Sequence, residues 1–172
     1  MVLEDRSWRQ GTVVGLIAYA SVALFYGVFD LLAARGSLFT VNLLGRAMFR
    51  GLRDPTVLQY PVTLDPMAIF WYNALHFAIA LIIGQIVVQL VAQAERRPKQ
   101  ARVAVLIIVA GFFATVVGIA WLTRTMRPLL PSWSIVMANG LAVLLAGGYL
   151  LRKRPGLWHR LMAPPDRPRL TA

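Results

Sequence analysis

Four long apolar runs decide what this chain can fold into. Residues 11–34 are apolar or small except for Asp30, and residues 67–94, 103–123 and 133–151 carry no formal charge with His76 neutral. Each run is long enough to cross a hydrocarbon core of about 30 Å as a helix. The second, at roughly 28 residues, exceeds what a bilayer needs, so it should tilt or reach into the headgroups. All ten prolines fall outside the four runs, as expected if each run is an unbroken helix. Asp65-Pro66 reads as an N-cap followed by proline at the first helical position, and Ser132 after Pro131 offers a similar cap for the fourth helix. The fold expected is an all-α membrane protein, with four transmembrane helices in a bundle.

Composition excludes the alternatives. Of the 172 residues, 58% are hydrophobic and 15% charged, whereas a soluble domain is nearer 25% charged. A disordered chain is thereby ruled out, and an ordinary water-soluble enzyme domain is not expected. The net charge is +11, which invites a nucleic-acid reading. That reading needs a basic face interleaved with polar or stacking residues. Here the basic residues lie between or beyond the apolar runs, the placement typical of membrane proteins. No nucleic-acid partner is expected. Cysteine is absent, which removes disulfides, thiolate nucleophiles and Cys metal sites.

Lys and Arg set the expected orientation. Counting them by segment puts twelve in the two termini and the second loop, against six in the first and third loops. The positive-inside rule then places both termini in the cytoplasm. A cleaved signal peptide is the competing reading for the first run, since Ala18-Tyr19-Ala20 fits the cleavage pattern. Glu4 and Asp5 in the amino-terminal region and the continuation of the apolar run oppose it. Residues 1–154 form a single transmembrane domain on this reading, and residues 155–172 a basic cytoplasmic tail, disordered beyond Pro164. Arg152, Lys153 and Arg154 open that tail as a juxtamembrane cluster that should meet anionic lipid.

The first loop is not a simple turn. Residues 39–53 read FTVNLLGRAMFRGLR, with Asn42, Arg46, Arg50 and Arg53 in one sector of a helical wheel and Val41, Leu44, Met48 and Leu52 opposite. An amphipathic helix lying in the interface is expected, with its arginines among the headgroups. It serves either as a docking surface for lipid or a partner, or as a connector buried in the interface.

An ionisable group inside a span costs at least about 2.5–3.5 kcal/mol on insertion scales, so it is a candidate functional site by default. Asp30 and His76 are the two. A simple hairpin of the first two helices puts Asp30 level with Tyr72 and Asn73, and His76 roughly 9 Å deeper. Asp30, Tyr72, Asn73 and His76 therefore form the candidate intramembrane polar site. Two uses compete: a proton relay from Asp30 to His76, and an Asp paired with Arg35 or Arg46 beside a hydrogen-bonded His. Asn73, His76, Ala80 and Gly84 share one sector of the second helix, while Gln85, Gln89 and Gln93 form another. Two polar faces mark this helix as central.

Small residues recur at four-residue spacing. Gly11, Gly15, Ala23 and Gly27 do so in the first span, Ala110, Ala114 and Gly118 in the third, and Ala138, Ala142 and Ala146 in the fourth. With Gly84 in the second, such rows let backbones approach closely. Gly11, Gly15, Gly27, Gly84, Gly118 and Ala142 are the expected packing positions. No catalytic constellation appears. There is no second intramembrane histidine for haem, no His/carboxylate cluster with metal spacing, and no phosphate-binding or nucleophile-elbow glycine pattern. No catalytic residue, cofactor or metal is expected.

The stretch FYGVFDLLAARGSLFTVNLLGRAMF, followed by WYNALHF, resembles a group of uncharacterised bacterial four-helix integral membrane proteins. Its pattern of an Asp near the end of the first helix, an aromatic-Thr step, a Leu-Gly and a His in the second helix falls on Asp30, Phe39-Thr40, Leu44-Gly45 and His76. The resemblance implies a small inner-membrane protein and no particular activity. The residues favour a non-catalytic accessory or scaffolding subunit, or a self-associating bundle. Two alternatives stay open: a small transporter or ion-handling protein using Asp30, Asn73 and His76, and a lipid- or quinone-binding protein.

Overall fold

A computed structural model describes residues 2–52, 54, 58, 62–97 and 100–155. Among them are five α-helices and no strand. These are α1 (Val2–Leu32), α2 (Phe39–Phe49), α3 (Pro66–Arg96), α4 (Ala101–Leu122) and α5 (Ser132–Lys153), with a 3-10 turn at Arg124–Met126. Four of them, α1, α3, α4 and α5, are long and apolar enough to cross a membrane. Large apolar side chains such as Leu24, Phe70, Leu106, Phe113 and Leu144 point outward. In water that surface would aggregate; in lipid it is the solvent-facing surface. The chain is a multi-pass membrane protein.

The helix ends follow local chemistry. Asp65 caps α3 by accepting from the Ala68 N–H at 2.9 Å, with Pro66 at the first position. α5 differs from expectation: Pro131 is its N-cap residue and Ser132 already lies in the helix. The useful serine is Ser134, fully buried, whose Oγ donates to the Pro131 carbonyl at 2.7 Å. α1 stops at Leu32 in a paired capping turn. Ala34 N–H reaches the Leu31 carbonyl and Arg35 N–H the Asp30 carbonyl, both at 3.0 Å. Ala34 takes the left-handed conformation, φ 53°, that this turn requires and that glycine would adopt without strain.

α1 lies between α3 and α5 and runs antiparallel to both, because Gly11 and Gly15 meet the Ala80–Gln85 stretch while Gln10 meets Arg154. The tightest approach is to α3. A Cβ on Gly84 would sit 2.5 Å from the Gly11 carbonyl oxygen and from the Gly15 nitrogen, and one on Gly15 would sit 2.7 Å from the Ala80 oxygen. Below this crossing, toward the end where α1 begins and α5 finishes, Val14, Val88, Val91, Ala146 and Leu150 form the main core, joined by Ile108 of α4. Ala94, Ala101 and Ala104 pack the turn from α3 into α4. At the opposite end Phe39 and Leu43 of α2, Leu58, and Met126 beyond α4 form a separate cluster. Buried α4 residues are confined to its first turn, Ala101 and Ala104. Most of α4 is open on its outer side.

The amphipathic pattern of the first loop is only partly realised. α2 ends at Phe49, so Leu52 lies beyond it, and Arg53 is outside the described residues. Asn42, expected with the arginines on the polar face, is fully buried. Its amide donates to the Thr63 carbonyl at 3.1 Å, and its Oδ1 accepts from the Asp65 N–H at 2.9 Å. The wheel grouped it by polarity, but its two-sided amide bonding ties α2 to the extended segment that leads into α3. Met48 is exposed and Leu43 buried, because Phe39 and Leu43 pack against Leu58 and Met126 while α2 meets α3 at Gly45, where a Cβ would lie 2.5 Å from the Ala68 oxygen.

Candidate functional site

Asp30 is fully buried, and its carboxylate works on the helix that follows. Thr40, the second residue of α2, gives it both donors: the backbone N–H reaches Oδ2 at 2.6 Å and the hydroxyl reaches Oδ1 at 2.7 Å. The N-cap residue of α2, Leu38, has no side-chain acceptor, so Asp30 supplies from α1 the cap that α2 lacks. Arg35, turned back by the α1 capping turn, adds a third bond to Oδ1 at 3.1 Å. Its other terminal nitrogen donates to the Leu129 carbonyl at 2.7 Å. The guanidinium lies over Phe39 and Phe29, at 4.5 and 5.1 Å from the ring centres. One carboxylate and one guanidinium thus join the end of α1, the start of α2 and the segment before α5.

The other members of the expected site lie elsewhere. Asn73 Oδ1 accepts from the Tyr19 hydroxyl at 3.1 Å, and the Asn73 amide donates to the Ile69 carbonyl at 2.9 Å. The His76 ring lies 5.2 Å from Tyr19 and 6.1 Å from Tyr72. Asn73 thus pairs with Tyr19 rather than standing level with Asp30, while Tyr72 interacts with Tyr26, which in turn interacts with Asp30. Asn73 and His76 sit at Tyr19, eleven residues before Asp30 in α1, or about 16 Å along the axis. α2 intervenes in the chain between α1 and α3 and packs on the first turn of α3 at Ala68, so the end of α1 need not face the second turn of α3. Tyr26 and Tyr72 lie between the Asp30 group and the Tyr19–Asn73–His76 group. Asp30 and His76 make no direct contact with each other.

Other sequence-marked residues divide similarly. Arg154 was expected among lipid headgroups, but its side chain is largely buried. It donates to Gln10 Oε1 at 3.0 and 2.6 Å and pairs with the Glu95 carboxylate. As the C-cap residue of α5 it turns inward, clamping α1, α3 and α5 together. Arg152 and Lys153 are exposed. Gly11, Gly15 and Gly84 occupy the α1–α3 crossing, and Ala142 is buried in α5. Gly27 makes only ordinary contact with the Ser37 carbonyl, and a Cβ on Gly118 would meet nothing. Those two are not tight packing positions within this chain. Gln85 bonds across to α1, to the Trp8 carbonyl and the Thr12 hydroxyl, both at 3.1 Å. The sequence pattern assigned no bonding role to Tyr19 or Gln10, named Thr40 only within the resemblance, and put Asn42 on the polar face. A free cap position at Leu38 was the one available signal, since a helix without a local acceptor must borrow one.

Arg46 is half-buried. Arg50, expected at the headgroups, is engaged with Asp65: Nε donates to Oδ2 at 2.8 Å. That hydrogen bond, together with the Ala68 N–H, holds the Asp65 carboxyl down at about 2, against the ordinary 3.8. The same bond raises Arg50 above its usual value. A carboxyl lowered on folding stabilises the fold above its unfolded value, and that stabilisation is lost as pH falls through the folded value. The thermal midpoint of the purified protein should therefore drop between about pH 4 and pH 2, and Asp65→Asn should remove this part of the acid limb. An identical acid limb in Asp65→Asn would show that the cap is not the titrating element.

No protein family, curated protein or solved structure matches the chain. Among the described residues no group of three His, Asp or Glu stands close enough to hold a metal.

Proposed function

We propose that this protein is a non-catalytic helix-packing subunit of the inner membrane: an accessory or scaffolding component of a larger assembly, or a self-associating bundle. The observation that carries the reading is the employment of Asp30. This carboxylate, inside the α1 span, is buried and bonded to Thr40 and Arg35, a joint between segments with no open acceptor facing a substrate path. Asn73, Gln85 and Arg154 likewise bond between helices or to a helix backbone, which is how polar residues act as packing elements in lipid. On this reading the termini are cytoplasmic, by the Lys and Arg distribution. α2 lies at the opposite membrane surface as an interfacial helix, with Met48 and Phe49 outward toward the acyl boundary. The outer face of α4, including Ala110, Ala114 and Gly118, receives the partner helix.

Because the chain has no cysteine, single-cysteine variants report cleanly on neighbours. Gly118→Cys in native membranes should cross-link into species well above the 19.1 kDa chain, and Val88→Cys, in the core, should not. Purification in mild detergent should yield a complex of matching mass. A protein that emerges alone and monomeric, with Gly118→Cys uncross-linked, would refute the proposal.

A further inference from the structure

The Gln85–Gln89–Gln93 row of α3 runs down to Arg96 and Arg97 beside the first turns of α1. Between them lies a groove of about 580 Å³ lined by Ser7, Trp8, Gln89, Gln93, Arg96 and Arg97. Its volume falls within the roughly 300–1,000 Å³ of small-molecule sites. Gln89 is exposed in it and makes no hydrogen bond to another described residue. It lies seven residues before Arg96, about 10 Å further into the membrane. An amide left bare at that depth costs free energy until it finds a partner. Gln85 and Gln93 are already engaged, with Trp8 and Thr12 and with Gln100, so Gln89 is the open donor of the row. The groove's mouth carries two exposed guanidinium groups. Glu95, the neighbouring acid, is turned away into its pair with Arg154.

We propose that this groove binds the headgroup of an anionic phospholipid. The phosphate sits at Arg96 and Arg97, where guanidinium groups offer paired donors to phosphate oxygens. The polar backbone or ester groups below it reach Gln89 and Ser7. The Trp8 indole flanks the site at the depth where tryptophan is favoured in membranes. Basic pockets at the cytoplasmic ends of membrane helices take such headgroups. This site deepens the reading above by naming a lipid that would fasten the α1–α3 seam at its cytoplasmic end, and it rests on the placement of that end at the membrane surface.

The test is native mass spectrometry of the full chain in detergent, titrated with dioleoylphosphatidylglycerol and separately with dioleoylphosphatidylcholine. One phosphatidylglycerol should be retained in clear preference to phosphatidylcholine. Arg96→Gln with Arg97→Gln should weaken its retention by about thirtyfold, the effect expected of two basic side chains at an anionic surface. Gln89→Leu should weaken it less, and Arg152→Gln with Lys153→Gln should leave it intact. Excess inorganic phosphate should not displace the lipid; full displacement would identify a free-anion site and overturn the lipid assignment. Equal retention of both lipids, or a preference lost only with Arg152 and Lys153, would also overturn it. A single Arg102→Cys labelled in vesicles by a water-soluble maleimide reports the surface placement independently. Labelling without lipid preference defeats the site alone, and failure to label defeats the placement and the site together.

Discussion

Leucine in place of Gly84 is expected to disassemble the α1–α3 crossing, with the thermal midpoint in detergent falling by about 10 °C or more. The reason lies in what surrounds the missing side chain. The nearest atoms to a new Cβ are the Gly11 carbonyl oxygen and the Gly15 nitrogen at 2.5 Å and the Gly15 Cα at 2.8 Å. All are backbone, so no rotamer change can make room, and the helices must separate. Overpacking usually costs about 1–3 kcal/mol, occasionally more, and the rigid surroundings put this site at the upper end. Alanine gives a sharper comparison through the sign of its effect. It gains up to about 1 kcal/mol of helix propensity over glycine, so at Gly118, where a Cβ meets nothing, Gly118→Ala should leave the midpoint unchanged or raise it. At Gly84 the clash outweighs that gain, and Gly84→Ala should lower it. Equal effects at the two glycines would show that the crossing does not hold the helices together.

That crossing was legible in the sequence to an unusual degree. Asn73, His76, Ala80 and Gly84 fall on one sector of α3 by helical geometry alone, and all four face α1: Asn73 and His76 at Tyr19, Ala80 at Gly15, Gly84 at Gly11 and Gly15. Periodicity identifies a shared face because the helix repeat is fixed. It cannot supply register, which depends on where each helix begins and on what the connection does. For that reason the hairpin reading puts Asn73 level with Asp30, whereas it meets Tyr19. The same limit explains Gly118, which belongs to a regular small-residue row yet faces away from the rest of the chain. Spacing marks a surface on which helices can approach closely and says nothing about which helix comes. Arg154 illustrates a second limit. Juxtamembrane basic clusters read as lipid contacts by charge, but a C-cap residue turns off the helix axis, and here that turn delivers the guanidinium to Gln10 and Glu95.

Asp30→Ala is expected to have the other large effect, and to have it locally. Removing the carboxylate strips Thr40 of both its acceptors and leaves the Arg35 guanidinium between Phe29 and Phe39 without its counter-charge. Breaking a buried pair from one side typically costs about 3–5 kcal/mol, mainly because the remaining charge is uncompensated. The loss should fall on the α1–α2 junction. Limited proteolysis between residues 33 and 65 should accelerate strongly, while the core around Val14, Val88 and Leu150 keeps its protection. Removing both charges, Asp30→Leu with Arg35→Leu, should recover part of the stability, since no unpaired charge is left behind. The recovery should be incomplete because Thr40 stays uncapped. Asp30→Asn should fall between wild type and alanine: one carbonyl oxygen remains to accept, but the amide must turn a donor toward a group that is itself a donor, at a cost of about 1–3 kcal/mol. A relay would order these variants differently. It would be abolished by Asp30→Asn, which cannot exchange a proton, with the junction still protected from protease. Loss of cellular function in Asp30→Asn with wild-type proteolysis and midpoint would therefore overturn the joint as the role of Asp30. Function that declines in step with junction stability across the series would establish it.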